Sequence, residues 1–207
     1  MIRFCKRLVV LLVFAALTAS VLVVWTDPDP EYKLHSWLAA GRFSAYDGMI
    51  AEAAAKRGLD PLLVKAMVWR ESGFHPSKMG TSGERGLMQV GEAAAQDWAT
   101  AEKIETFVPT DLFDAKTNLD VGTWYFKKAL DRWKLKADPV PFALAEYNAG
   151  YGRMERWIAA TDRGDEATAE NLLRAIDFPT TRKYIETITA RRRFYQEAAD
   201  ATGASSR

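Results

Sequence analysis

Residues 60–73, DPLLVKAMVWRESG, are the stretch from which the fold of this chain can be worked out. Asp60 is a natural N-cap, Pro61 stands where a first-turn proline is tolerated, and Gly73 is a C-terminal stop. These three signals predict one helix that is apolar on nearly every side. The same helix ends on a carboxylate, that of Glu71.

Glu71 shares a face of this predicted helix with apolar side chains. Val64, Met67 and Val68 precede it by spacings of seven, four and three residues, which place all four side chains on one face. A carboxylate there either pairs with a nearby cation such as Arg70 or has its pKa raised by desolvation, from about 4.3 toward about 6. On this stretch alone, the ion pair is the simpler interpretation.

Two later motifs change that interpretation. Residues 86–89 are GLMQ and residues 145–150 are AEYNAG. With Glu71 and Ser72, in this order and spacing, they resemble the lytic transglycosylases related to the soluble lytic transglycosylase and, in fold, to goose-type lysozyme. One short motif is a weak signal, whereas three in register are a strong one. The resemblance covers roughly residues 46–195.

The resemblance implies an all-α, lysozyme-like helical domain with a cleft that binds peptidoglycan glycan strands. Glu71 would be its sole catalytic acid/base. A part in binding substrate or supporting the site is implied for Ser72, Ser82, Met88, Gln89, Tyr147, Asn148 and Tyr184. Considered without the family, Tyr147 and Tyr184 could be core residues and Asn148 could cap a turn.

The chain departs from the family pattern at several positions. The family commonly has a serine nine residues after the glutamate, where this chain has Gly80, while Ser82 matches a second, frequent serine. Gly91 and Glu92 replace the usual Met-Pro pair. Thr180 replaces a glutamate of the late motif. These departures bear on substrate affinity and rate more than on the type of reaction.

The acidic residues also indicate how a single carboxylate could suffice. Glycosidases ordinarily use two carboxyl groups, but here only Glu71 lies on an apolar stripe. Glu84, Glu92 and Asp97 fall in predicted loops or polar faces, and Glu146 is expected on the far side of its helix. Attack by the sugar's own C6 hydroxyl is intramolecular and needs no second carboxylate, so the product would be a 1,6-anhydromuramoyl end.

Two other functions remain open at this point. A lysozyme-type hydrolase would cleave the same bond between N-acetylmuramic acid (MurNAc) and N-acetylglucosamine (GlcNAc) with water. A weakly active glycan-binding subunit of a cell-envelope complex would fit the departures at Gly80 and Thr180.

The N-terminus predicts a membrane anchor. Residues 8–25 carry no charge and would span about 27 Å as a helix, close to the roughly 30 Å hydrocarbon core of a bilayer. Three basic residues precede this run and three acidic residues follow it, so the positive-inside rule puts Met1 in the cytoplasm and the catalytic part on the periplasmic side of the inner membrane. A cleaved signal peptide is the competing interpretation, since residues 18–20 are small.

Composition limits the partners and cofactors to be expected. The net charge of +1 gives no support for nucleic-acid binding. Cys5 is the only cysteine, and His35 and His75 are the only histidines, so we expect no disulfide, no zinc site and no cofactor. The expected partners are glycan strands and, through the N-terminal helix, the membrane.

The rest of the chain has a helical pattern. Helices are predicted over residues 44–56, 86–95, 118–130, 142–147, 153–160 and 182–199. Leu87, Met88 and Gln89 would form the first turn of the second, and the polar loop 74–85 should lie over Glu71.

The pattern also sets the expected domain boundaries. These are a basic flank with a transmembrane anchor (1–26), a linker (27–43), the catalytic domain (44–200) and a flexible tail (201–207). Trp133 and Leu135 would extend the core of the catalytic domain.

Overall fold

The computed structural model describes residue 18 and residues 41–204, with side chains as far as residue 201. The chain separates into two units, Met1–Ala45 and Tyr46–Arg207. The predicted transmembrane helix over residues 8–25 lies outside the described residues, apart from Thr18. Within the described part, no helix has the length and apolar character that a membrane span needs.

The regular secondary structure of the second unit, where it is described, consists of helices, which confirms the all-α class. Its α-helices are α1 (Asp47–Arg57), α2 (Pro61–Ser72), α3 (Glu92–Ala101), α4 (Ala115–Arg132), α5 (Val140–Ala149), α6 (Tyr151–Ala160), α7 (Ala169–Ala175) and α8 (Pro179–Ala204). Short 3₁₀ helices cover Pro109–Phe113 and Gly164–Glu166. Among the described residues, β pairing is limited to the isolated bridges Met79 to Arg85 and Arg85 to Val90.

Helix α2 begins and ends where its sequence signals predict. The Oδ1 atom of Asp60 accepts a hydrogen bond from the backbone N of Leu62 at 2.8 Å, and Pro61 occupies the first turn. Gly73 ends the helix with a φ of 59°, a left-handed conformation that glycine adopts without strain. Because α2 packs against both α1 and α8, half of its side chains are buried.

Helix α4, which covers the helix predicted over residues 118–130, places one apolar face in the core. Leu119, Gly122, Phe126 and Ala129 are all buried, and α4 packs against α1, α3 and α5. A Cβ atom at Gly122 would lie 2.5 Å from the Sδ atom of Met88. The absence of a side chain at this position is therefore what lets the segment before α3 approach α4 closely.

The prediction of a helix over residues 86–95 is wrong for the first half of that range. Residues 85–90 form a tight turn closed by two hydrogen bonds of 3.0 Å between the backbones of Arg85 and Val90, and helix α3 starts only at Glu92. Gly86 has a φ of 79° and Gln89 a φ of 48°, values that a right-handed helix excludes.

A buried side chain from α4 holds this turn. The Oδ1 atom of Asn118 accepts a hydrogen bond from the backbone N of Met88 at 2.7 Å. Its Nδ2 atom donates to the backbone oxygens of Arg85 and Leu112 at 2.7 and 2.8 Å. Asn118 thus satisfies backbone groups that a helix would otherwise have paired, which explains why local sequence signals were misleading here.

The prediction that Trp133 and Leu135 extend the core is wrong for Leu135. Leu135 is 92% exposed, because α4 ends at Arg132 and the chain turns before α5. Trp133 is half-buried against the ring of Phe142, at 5.7 Å between ring centroids.

Candidate active site

Glu71 lies at the end of α2, where the helix opens into a cleft of about 630 Å³. This volume is within the range of about 300 to 1,000 Å³ that is typical of ligand sites. The lining is formed by Arg70, Glu71, Lys78, Met79, Gly80, Thr81, Glu84, Gln89, Val90, Gly91, Ala93, Ala94, Tyr125, Tyr147 and Asn148. The loop after α2 therefore lies over the carboxylate, as the sequence predicts.

The carboxyl group of Glu71 is held by a phenol rather than by a cation. The hydroxyl group of Tyr184 donates to Oε1 of Glu71 at 2.6 Å, from a residue 113 positions away in the sequence. Two cations near Glu71 in the sequence make contacts with other side chains. Lys65 forms an ion pair with Asp47 at 2.7 Å, and the guanidinium of Arg70 lies 5.7 Å from the ring centroid of Tyr184.

Burial raises the pKa of Glu71 from 4.5 to about 7. The hydrogen bond from Tyr184 and the charges of Arg70 and Lys78 oppose this rise, whereas the charge of Glu84 adds to it. Desolvation is the largest of these effects, because a carboxylate loses its water shell in the cleft wall. A carboxyl group with this pKa is protonated in a substantial fraction of molecules near pH 7 and can donate a proton.

Tyr184 and Tyr147 are both hydrogen-bond donors of the site. Burial, together with the charge of Glu71, holds the pKa of each phenol well above its ordinary value, so both remain protonated. Tyr184 reaches Glu71 directly, while the hydroxyl group of Tyr147 donates to the backbone oxygen of Met88 at 2.9 Å. Tyr147 therefore ties α5 to the turn over residues 85–90.

Gln89 and Asn148 line the cleft and also join its walls. The Nε2 atom of Gln89 donates to the backbone oxygens of Lys78 and Gly86 at 3.1 and 3.0 Å. Asn148 is exposed, and its Oδ1 atom accepts a hydrogen bond from Thr181 on α8 at 2.8 Å.

Three other residues singled out by the sequence do not form part of the cleft lining. Met88 is fully buried with its side chain against α4, which is the consequence of the tight turn that it occupies. Ser72 is also buried, and its hydroxyl group donates to the backbone oxygen of Val68 at 3.2 Å, within its own helix. Ser82 is exposed at the tip of the loop.

The sequence analysis missed several residues of the cleft wall. Glu84 is on the loop over residues 74–85, as expected. Because this loop lines the cleft, Glu84 is a second carboxylate that faces the same space as Glu71. Tyr125 lies edge-on to Tyr147, with 5.7 Å between ring centroids. The available signal for Glu84 was its place in the loop expected to cover Glu71.

Glu146 precedes the cleft residue Tyr147 but is buried outside the cleft lining. Its Oε1 atom accepts a hydrogen bond from the guanidinium of Arg132, and its Oε2 atom accepts one from Nε1 of Trp133 at 2.7 Å. This placement agrees with the predicted orientation. Within the described residues, no three His, Cys, Asp or Glu side chains come together as a metal site requires.

Residues 48–169 match the family described as the Transglycosylase SLT domain. The membrane-bound lytic murein transglycosylase F of Desulfosudis oleivorans is 32% identical over 116 residues, which cover 55% of this chain and 24% of that protein. The soluble lytic murein transglycosylase of Escherichia coli is 26% identical over 153 residues, covering 73% of this chain and 23% of that protein. The chain thus spans about a quarter of the length of these curated relatives.

Solved structures share the fold. The 70 kDa soluble lytic transglycosylase of Escherichia coli superposes with a TM-score of 0.67 at 24% identity, covering 75% of this chain and 24% of that one. A complex of the 70-kDa soluble lytic transglycosylase with bulgecin A gives a TM-score of 0.68, covering 76% of this chain and 25% of that one. Since the family match takes in more than half of the sequence and the helical fold agrees with it, the chain belongs to the transglycosylase SLT domain family.

Proposed function

We propose that this chain is a peptidoglycan lytic transglycosylase. It would cleave the β-1,4 bond between MurNAc and GlcNAc and leave a 1,6-anhydromuramoyl end, with Glu71 as the sole general acid and base. The observation that supports this best is a carboxyl group with a pKa of about 7 in a cleft wall, bound to a phenol that stays protonated. The names of the relatives, all lytic murein transglycosylases, point the same way.

The proposed reaction begins with protonated Glu71. The bond from Tyr184 fixes the carboxyl group through Oε1 and leaves Oε2 for the substrate. Glu71 donates its proton to the bridging glycosidic oxygen, the bond from that oxygen to C1 of MurNAc breaks, and positive charge develops at C1. The carboxylate then takes the proton of the C6 hydroxyl group while the oxygen of that hydroxyl group bonds to C1. This second step restores the protonated form of Glu71, so the reaction needs no further carboxylate and consumes no water.

Binding residues follow from the lining of the cleft. We propose that Gln89, Tyr147 and Asn148 contact the glycan or hold the walls that do, since each lines the cleft and makes a hydrogen bond between two segments. Ser72, Ser82 and Met88 would act indirectly. Met88 supports the turn that presents Gln89, and Ser82 bonds to the side chain of Glu84.

Hydrolysis of the same bond is the second candidate, and one observation favours it. Glu84 places another carboxylate in the cleft, and a second carboxylate can activate a water molecule. The two candidates differ in the product, because hydrolysis leaves a reducing end that contains an oxygen atom from the solvent.

Digestion of purified glycan strands in ¹⁸O-labelled water separates these outcomes. The wild-type protein should release anhydro ends without label, and Glu71→Gln should release almost none. The matched control is Glu170→Gln, since the side chain of Glu170 is 72% exposed and is not part of the cleft lining. Labelled reducing ends that depend on Glu71 would mean hydrolysis. No cleavage by the wild-type protein would leave the glycan-binding subunit as the surviving hypothesis.

We also propose that residues 8–25 anchor the catalytic domain to the inner membrane from its periplasmic side. The uncharged run and its flanking charges support this, and relatives named membrane-bound lytic murein transglycosylases F and C have similar sequences. The full chain should fractionate with membranes and keep its first residues. A mature form in the soluble fraction that begins near Val21 would contradict the proposal.

A further inference from the structure

Glu84 is a cleft carboxylate that the proposed mechanism does not use. Its side chain is half-buried, and Oε2 accepts a hydrogen bond from the backbone N of Ser82 at 3.1 Å. Among the described residues, no hydrogen-bond donor reaches its other oxygen, Oε1. A carboxylate that lines a ligand cleft with one oxygen unoccupied is available as a hydrogen-bond acceptor.

The loop that bears Glu84 is held tightly by its own backbone. The N atom of Gly80 donates to the backbone oxygen of Glu84 at 2.7 Å, and the next residue, Arg85, forms β-bridges with Met79 and Val90. Glu84 therefore extends from a fixed segment, and its carboxylate does not have to be ordered when a ligand arrives.

Gly80 provides the space that this carboxylate occupies. A Cβ atom at position 80 would lie 2.3 Å from Oε2 of Glu84 and 3.0 Å from Oε1 of Gln89. An oxygen of Glu84 thus stands where a side chain of residue 80 would begin. Glutamate at position 84 and glycine at position 80 are consequently coupled, because any larger residue at 80 displaces the carboxylate.

We propose that Glu84 is a substrate-binding residue, whose carboxylate occupies the space above Gly80 and accepts hydrogen bonds from hydroxyl or amide N–H groups of an N-acetylated sugar in the cleft. The proposal rests on the function proposed above and names a contact that the sequence motifs do not contain. N-acetylhexosamines present several such donors, and bonds to a charged acceptor are about twice as strong as neutral ones.

The charge of Glu84 also gives its removal a second measurable effect, on the pKa of Glu71. The groups that face Glu71 are Tyr184 from α8, Tyr147 from α5, Arg70 from α2, and Lys78 and Glu84 from the loop. Glu84 is the anion among them. Its removal should lower the pKa of Glu71 and move the alkaline limb of the pH–rate profile to lower pH.

The first test measures binding and cleavage separately in the full chain. A GlcNAc–MurNAc tetrasaccharide is bound to the Glu71→Gln protein, and cleavage of glycan strands is followed with active Glu71. Glu84→Ala should weaken binding and lower kcat/KM by about tenfold, and Glu84→Gln should have a smaller effect because it keeps an acceptor. Both should shift the alkaline limb downward. Glu170→Ala is the matched control, because Glu170 is at the surface and is not part of the cleft lining, and it should leave binding and the pH profile unchanged.

The second test uses the coupling between positions 80 and 84. Gly80→Ser should weaken binding about as much as Glu84→Ala, because its Cβ atom displaces the carboxylate. The double variant Gly80→Ser/Glu84→Ala should bind more tightly than Glu84→Ala, since the serine hydroxyl group then supplies an acceptor in the same place. Gly80→Ala/Glu84→Ala lacks that hydroxyl group and should show no recovery. Circular dichroism and thermal melting identify a variant that does not fold, in which case the Glu84 variants decide alone.

The outcomes distinguish this proposal from the proposed function. Wild-type cleavage with unchanged binding, rate and pH profile in Glu84→Ala would overturn the role of Glu84 and leave the transglycosylase assignment intact. Binding that depends on Glu84, in a protein that cleaves no glycan, would sustain the role of Glu84 and overturn the assignment.

Discussion

Two glutamates, on helices that both pack against α8, have opposite surroundings. Glu71 ends α2 beside the cleft, where a neutral phenol donates to it and burial raises its pKa to about 7. Glu146 lies on α5, outside the cleft lining. The guanidinium of Arg132 forms an ion pair with Oε1 of its carboxylate, and the indole of Trp133 donates a hydrogen bond to Oε2. One group can exchange a proton with a ligand, whereas the other is committed to the fold.

The difference illustrates how the partner of a buried carboxylate bears on its charge. A cation compensates the charge that burial penalises, so the ionised form is kept. A phenol offers one hydrogen bond and no charge, so much of the desolvation penalty remains. The predictions below break or sharpen this contrast, starting with the largest effect.

Removing the titratable group of Glu71 should abolish most activity. Glu71→Gln keeps the size of the side chain and can still accept the bond from Tyr184, but it cannot transfer a proton. Glycan cleavage should fall by about 10² to 10⁴, the usual contribution of general acid and base catalysis. Release of anhydro ends, normalised to folded protein, measures the effect. Cleavage that survives the substitution would remove the assignment of Glu71.

Removing the charge of Glu146 should instead affect the fold. Glu146→Gln leaves Arg132 without its anion and should lower the free energy of unfolding by about 1 to 3 kcal/mol, while the folded fraction keeps its rate within about threefold. Glu170→Gln is the control, because its ion pair with Arg174 is at the surface and should contribute little. Urea unfolding and activity assays on the same samples provide both values. A rate loss as large as that of Glu71→Gln would contradict the contrast.

The raised pKa of Glu71 should appear as a pH-dependent penalty on stability. Below pH 4.5 the group is protonated in both folded and unfolded chains, and between pH 4.5 and about 7 only the folded chain keeps its proton. The wild type therefore loses stability as pH rises through this window, relative to Glu71→Gln. The variant should gain up to about 3 kcal/mol over the wild type by pH 8 and little at pH 4, measured by thermal melting. An equal difference at both pH values would contradict the shift.

The phenol should have a smaller effect with a definite sign. Because the hydrogen bond from Tyr184 lowers the pKa of Glu71, Tyr184→Phe should move the alkaline limb of the pH–rate profile to higher pH. Activity at lower pH should also fall several-fold, since the carboxyl group loses its orientation. Tyr147→Phe is the contrasting variant, because its hydroxyl group bonds to Met88 and not to Glu71. A limb that moves with Tyr147→Phe and not with Tyr184→Phe would refute this arrangement.

Local signals were enough to predict one half of the site. The N-cap Asp60, the stop at Gly73 and the apolar face leading to Glu71 are all encoded within one helix, and the structure agrees with each. The other half depends on distant contacts. Tyr184 bonds to Glu71 from 113 residues further along the chain. The placement of Gln89 depends on Asn118 of α4, which holds residues 85–90 in a turn, whereas the local sequence GLMQ predicted a helix. Resemblance named Tyr184 and Gln89, but not what each one bonds to.

The most direct test of the contrast is the titration of Glu71 itself. Carbon-13 labelling of the glutamate carboxyl groups, with the Glu71 resonance assigned by its loss in Glu71→Gln, follows this one group through pH by NMR. A midpoint at about 7 is expected, and it should rise in Tyr184→Phe. A midpoint near the ordinary value of about 4.3 would mean that Glu71 is ionised at neutral pH, and it would contradict the account of Glu71 as a proton donor.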